Sequence, residues 1–167
     1  MTALFAALAL AGLTAGSVSG TVTVGDQPVT AGMTLAPGST VDTRTGTLVL
    51  QAPKTPSGTQ SLTLTGGAFE LTQASKTGLV KLVLKSLDTT VCIEDGKVKR
   101  KLTASTNAGL FMVRGRWAEV TVEKGSVTVS DMCQTSKVKV VKGTAKVRDL
   151  AKKRTLTLKA GKSVTVG

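Results

Sequence analysis

A pattern of 18 residues written twice in succession constrains this chain more than anything else in it. Val120-x-Val122-x-Lys124-Gly125-Ser126-Val127-x-Val129-x-Asp131 is followed at that spacing by Val138-x-Val140-x-Lys142-Gly143-Thr144-Ala145-x-Val147-x-Asp149. A third copy begins at Leu156-x-Leu158-x-x-Gly161, with Val164 and Val166 one place late. An earlier one is visible in Leu62-x-Leu64-x-Gly66-Gly67-Ala68-Phe69-x-Leu71. Residues two apart share one face of a strand. Each unit therefore reads as two short strands about a glycine corner, and a fixed period of such units means layers sharing one core. The expectation is an all-β fold, a β-solenoid-like or two-layer stacked β-sandwich, in which successive units pair in parallel. An antiparallel β-meander is the alternative, because Val122 to Val127 serves equally well as a hairpin.

The same alternation runs through the rest of the chain, in Val22 and Val24, Leu48 and Leu50, and Phe69 and Leu71. Glycine sits two places before many such pairs, at Gly20, Gly46, Gly67, Gly109, Gly125 and Gly143, where a corner needs backbone freedom. Asp26-Gln27-Pro28, Ala36-Pro37-Gly38-Ser39 and the stretch from Ala52 to Gly58 are turns that leave no room for a helix. Lys76 to Leu87 fits strand and helix spacing alike and is read as a strand, since its neighbours are strands. Glu94 to Lys97 is a turn, and Leu150 to Arg154 forms a single helical turn at most. With only 2 % aromatic residues, the core must be built from Val, Leu and Ala.

Residues 1–19 have the form of an export signal. Ala3 to Leu13 is wholly apolar but too short for the roughly 20 residues of a membrane-spanning helix, and Ser17 or Ser19 offers a cleavage point. Residues 20–167 then form the mature domain, with lobes of about 20–75 and 76–167. In an exported chain the two cysteines, Cys92 and Cys133, pair by default as one disulfide. A chain with no His and two Cys cannot assemble a zinc site.

The net charge of +12 is unevenly placed: residues 1–75 carry two basic and three acidic side chains, residues 76–167 carry 20 and seven. Lys124, Lys137, Lys139, Lys142, Lys146, Lys152 and Lys153 fall at corners or on outward strand positions, so a layered fold lines some of them into a ribbon. Such a field gathers polyanions and is screened by salt; outward lysines also keep sheets soluble. Arg114, Arg116 and Arg148 can fork onto phosphate or carboxylate. The candidate anion-binding set is therefore Arg114, Arg116, Lys124, Lys142, Lys146, Arg148, Lys152 and Lys153. Base-stacking aromatics are missing apart from Trp117, which argues against sequence-specific nucleic-acid binding.

No catalytic constellation is legible. A nucleophilic serine or cysteine lacks a histidine base, and Glu119 and Glu123 share a solvent face rather than flanking a cleft. Gly161-Lys162-Ser163 is no phosphate loop, because Leu156 stands where its first glycine belongs. Nor does any run of acids supply a calcium loop. The expectation is a protein without catalytic residues, cofactor or metal.

The segment Phe111-x-Val113-Arg114-Gly115-Arg116-Trp117-Ala118-x-x-Thr121-Val122, then Val129-x-Asp131-x-Cys133, Val141-x-x-x-Ala145-x-Val147-Arg148-Asp149 and Lys159-Ala160-Gly161-Lys162-Ser163, resembles FecR-like domains of exported bacterial surface proteins. Gly20-Thr21-Val22 through Pro28-Val29 to Gly38-Ser39-Thr40-Val41-Asp42 is similar to that family's opening, so the resemblance covers nearly all of residues 20–167. It implies an all-β module outside the cytoplasmic membrane, in a family whose founding members are iron-uptake signalling regulators. This chain shows neither the cytoplasmic anti-sigma region nor the transmembrane helix of those regulators. The expected function is thus a secreted or envelope-bound binding or assembly module whose basic lobe contacts anionic wall polymer or a membrane surface. The alternative is a regulatory sensor subunit of an envelope signalling system that docks a membrane partner through an exposed strand edge.

Overall fold

The alternating apolar pairs are strands in the computed structural model, which describes residues 12–86 and 97–167. In chain order they are β1 (Leu13–Val24), β2 (Gln27–Pro28), β3 (Thr34–Leu35), β4 (Ser39–Pro53), β5 (Thr59–Thr65), β6 (Ala68–Gln73), β7 (Val80–Lys85), β8 (Arg100–Thr106), β9 (Phe111–Arg114), β10 (Ala118–Asp131), β11 (Ser136–Asp149), β12 (Arg154–Lys159) and β13 (Ser163–Val166). Among the described residues there is no helix. Seven strands close into a barrel in the order β10, β8, β5, β4, β6, β7, β9 and back to β10. Every pairing is antiparallel except β7 with β9. Outside the barrel β1 lies on β4 and β11 lies on β10, with β12 and β13 beyond β11.

This closed barrel replaces the expected solenoid. The two copies of the 18-residue unit are β10 and β11, and they run antiparallel with Val120 opposite Val147 and Gly125 opposite Gly143. Nor is Val122 to Val127 a hairpin, since β10 continues through it. What the glycines do is bend both strands. A 14-residue strand reaches about 46 Å when straight, yet Arg116 N, just before β10, donates to Asp131 Oδ2 at its far end over 2.8 Å. The strand therefore doubles back. Gly125 (φ 147°) and Gly143 (φ 77°) face each other at the fold, where a Cβ would lie 2.2 Å from Lys142 O and 2.1 Å from Lys124 O respectively. The third copy is a strand broken at the same corner: β12 pairs with Thr144 to Asp149, β13 with Ser136 to Lys139, and Gly161 N between them donates to Val140 O. The period of 18 is thus one bent antiparallel strand plus its turn, not the pitch of a coil.

A second ribbon, β1 with β4, is built alike around Gly20 opposite Gly46. There β4 leaves β6, paired at Ser39 to Asp42, and takes β5 from Thr47 to Pro53. In the same way β10 leaves β9 after Val122 and takes β8 from Gly125. Each switch coincides with register shifts in the ribbon, and bulges of this kind sharpen twist and bend the strand. The halves of each bent strand so form opposite walls, and the barrel closes without separate stacked sheets.

The interior is aliphatic, with Leu48, Leu50, Leu64, Leu82, Leu102, Val120 and Val129 fully buried beside Phe69 and Phe111. A buried polar group closes each end. At one, Gln60 Nε2 donates to Gly78 O at 2.6 Å while its Oε1 accepts from Leu110 N at 2.7 Å. At the other, Asp131 accepts from Arg100 Nη2 at 2.7 Å, from Arg116 N and from Ser136 Oγ.

Several local expectations meet the structure. The Lys76 to Leu87 segment supplies β7, a strand. Leu150 to Lys153 is a turn without a helix, because the Asp149 carboxylate takes the N–H groups of Ala151 and Lys152. The expected export segment divides: residues 1–11 lie outside the described residues, whereas Leu13 and Ala15 are core residues of β1. Cleavage after Ser17 or Ser19 would remove both. Of the expected disulfide pair, Cys133 is buried and disulfide-bonded, while Cys92 lies outside the described residues, as do residues 94–96 of the expected turn.

Candidate anion-binding face and groove

Along β11 buried Val138, Val140, Ala145 and Val147 alternate with exposed Lys137, Lys139, Lys146 and Arg148. Alternate residues on one strand face lie about 6.6 Å apart, so Lys137 with Lys139 and Lys146 with Arg148 form two short rows, one on each half of the bent strand, with Lys142 at the bend between them. Their partners across the ladder are mostly hydroxyls: Ser130 opposite Lys137, Thr128 opposite Lys139, Ser126 opposite Lys142 and Thr121 opposite Lys146. Only at one end does an acid enter, where Glu119 stands opposite both Arg148 and Arg114. Arg114 Nη1 lies 3.7 Å from the Glu119 carboxylate.

The eight residues singled out in the sequence do not form one site. Lys142, Lys146 and Arg148 share the β11 face, and Lys124 stands exposed at the bend of β10 beside them. Arg114 is drawn to Glu119. Arg116 lies over the Trp117 ring, 5.6 Å from its centroid, an arrangement in which the ring face attracts the guanidinium. Lys152 and Lys153 sit in the β11–β12 turn, where Lys152 Nζ donates to Gly167 O at 3.2 Å and Lys153 takes a left-handed backbone (φ 51°). Asp149 just before them is fully buried. The Lys152 N–H holds its carboxyl below the usual range, with the Ala151 N–H and Arg154 acting in the same direction against burial.

At the β10–β11 bend the surface opens into a groove of about 670 Å³ that the sequence did not reveal. Lys54 reaches it from the β4–β5 turn, Asn107 from the β8–β9 loop, Lys124 and Glu123 from β10, and Lys146 and Thr144 from β11. Among the described residues none of the three lysines has a carboxylate within ion-pair distance. No local signal marks Lys54 or Asn107, because only the closed barrel brings the three segments together. The other charged cluster, around Asp131, is fully occupied by its own donors and serves as a clasp.

No family model matches this chain, and no curated protein matches it. Two crystal structures, each of a candidate anti-sigma factor from Parabacteroides distasonis, are similar to it. One matches over 93 % of this chain and 55 % of its own length at 17 % identity and a TM-score of 0.44. The other matches over 93 % and 53 % at 14 % identity and a TM-score of 0.40. This chain therefore spans about half the length of either.

Proposed function

We propose that this chain is a FecR-like module of the cell envelope that has a regulatory role and acts by docking a membrane-protein partner, not by catalysis. The observation that carries this reading is the free edge of β12. Among the described residues that six-residue strand ends the sheet and pairs only with β11, which leaves one row of its backbone donors and acceptors for an added strand. Leu156 and Leu158 are half-buried against the fold and hold the strand in place, while Arg154 and Lys159 at its two ends favour an acidic partner segment. The disulfide at Cys133 is in keeping with an oxidising compartment outside the cytoplasm, and pairing with Cys92 remains part of the proposal. A photocrosslinker at Thr155 on the edge should capture one membrane protein from cell envelopes. The same group at Ser61, on a strand paired on both sides, should not; equal capture at both positions refutes edge docking. Thiol titration of the denatured, unreduced chain should find no free cysteine.

The lysine rows on β11 favour a second reading, in which the module contacts anionic wall polymer or a membrane surface. Retention on such a polymer should vanish in several hundred millimolar salt, an amount set only roughly by screening. Salt-insensitive retention speaks against it.

A further inference from the structure

The groove at the β10–β11 bend differs from the open face beside it. Its lysines come from three separate strands and turns, and its volume of about 670 Å³ lies within the range of roughly 300–1,000 Å³ usual for small-ligand sites. Its walls offer an amide at Asn107 and hydroxyls at Thr121 and Thr144, with no aromatic side chain. Three lysines and one carboxylate, Glu123, line the groove, so its lining carries a net positive charge that attracts an anion placed among them. The hydroxyls and amide suit a ligand that itself carries hydroxyls, and the lack of aromatic platforms disfavours a nucleobase.

From this we infer that the groove is a binding site for a short anionic polyol, a sugar or glycerol unit bearing phosphate or carboxylate. Lys54, Lys124 and Lys146 hold the anionic groups, and Asn107, Thr121 and Thr144 hold the hydroxyls. Glu123 sets the limit on how much negative charge is accepted. The inference deepens the reading of the β11 side as an anion contact and rests on it, but assigns the contact to one place.

Calorimetric titration of the full chain at low salt, with glucuronate trimer in one arm and glycerol phosphate trimer in the other, tests it and separates the two sources of negative charge. Lys54→Gln should weaken binding of the preferred trimer about tenfold, the loss of one charge-assisted contact, and Lys124→Gln and Lys146→Gln should do likewise. Lys137→Gln removes the same charge from the far half of β11 and should change affinity less than about twofold, as a screened distant charge does. Glu123→Gln should tighten binding. If Lys54→Gln and Lys137→Gln weaken binding equally, the face binds anions diffusely and the groove assignment falls. If neither trimer binds the unaltered chain, the anion reading of the whole β11 side falls with it. Thermal melts of each variant confirm that these exposed substitutions leave the fold intact.

Discussion

The β1–β4 ribbon and the β10–β11 ribbon solve one problem with the same backbone and different chemistry. In each, a long strand bends at a glycine pair and changes neighbour, β4 from β6 to β5 and β10 from β9 to β8. The chain runs through the two in opposite order, since β4 precedes its neighbours and β10 follows them, so closure at a bent strand does not depend on the order of connection. The first ribbon's folded-back ends are joined by neutral groups, with Gln73 Nε2 and Gln60 Nε2 donating to Pro53 O at 2.7 and 3.2 Å. A single carboxylate, that of Asp131, joins the second. At the first bend Arg44 is matched by Asp42 at 3.0 Å, whereas at the second Lys124 and Lys146 are left facing a groove. Shape therefore comes from the glycines, and what separates the two ribbons is where charge has been left unpaired.

The largest effects should come from the bends themselves. Gly143→Val places a Cβ about where Lys124 O already lies, on a left-handed backbone, and Gly46→Val meets Thr21 O at 2.5 Å. Since backbone cannot step aside as a side-chain tip can, each should cost roughly 4 kcal/mol or more and abolish cooperative folding in a marginal domain. Gly161→Ala, at the same corner but with nothing within 4 Å, carries only conformational strain and should cost about 1 kcal/mol. Urea unfolding of the three variants measures this. A ribbon that tolerates valine at its bend is not built like its counterpart, and the equivalence fails.

Next in size is the clasp. Asp131→Ala leaves Arg100 without its buried partner and removes acceptors from Arg116 N and Ser136, so it should cost about 3–5 kcal/mol. Gln73→Ala, its neutral counterpart, should cost about 1 kcal/mol. Equal costs would mean that the charge in the second clasp contributes nothing of its own.

Much of this architecture was legible in the sequence, and the parts that were not share one cause. Spacing two apart identified buried against exposed positions along β10 and β11, and with them the lysine rows. It could not give the direction of pairing. Val-x-Val-x-Lys-Gly-Ser-Val-x-Val reads nearly alike forwards and backwards about its glycine, so parallel coils and antiparallel bent strands both satisfy it. Leu13 and Ala15 were hidden for a similar reason, because apolar and small residues mark a cleavage region and the start of a buried strand equally well. The groove was invisible because Lys54 and Asn107 meet Lys124 and Lys146 only after the barrel closes. Arg116, Lys152 and Lys153 carried the same charge signal as the β11 rows, but a ring face and a turn claimed them.

Acid should separate the ribbons less sharply than the clasp variants do. The folded Asp149 carboxyl lies below its unfolded value of about 3.9, held chiefly by the Lys152 N–H. A carboxyl lowered on folding stabilises fully above about pH 5, and that contribution disappears as pH falls below about 4 and through the folded value. Asp149→Asn should therefore be less stable than the unaltered chain at pH 6, with the gap in urea midpoint narrowing toward pH 3. Gln73→Ala, which changes no titrating group, should keep a constant gap over the same range.

The smallest effect is expected at the first bend, where Asp42 and Arg44 form a bidentate pair with side chains 22 % and 48 % exposed. Solvent and salt screen a pair of that kind, and both partners can hydrate when separated, so Asp42→Ala should cost no more than about 1 kcal/mol, and less still in high salt. The glycine pair Gly20 and Gly46, not the ion pair, then holds the bend, as at Gly125 and Gly143 where among the described residues no carboxylate pairs with the lysines. A cost above about 2 kcal/mol, undiminished by salt, would show the first bend to depend on its charges. The unpaired lysines of the second would then mark a different kind of bend, rather than the same one left open.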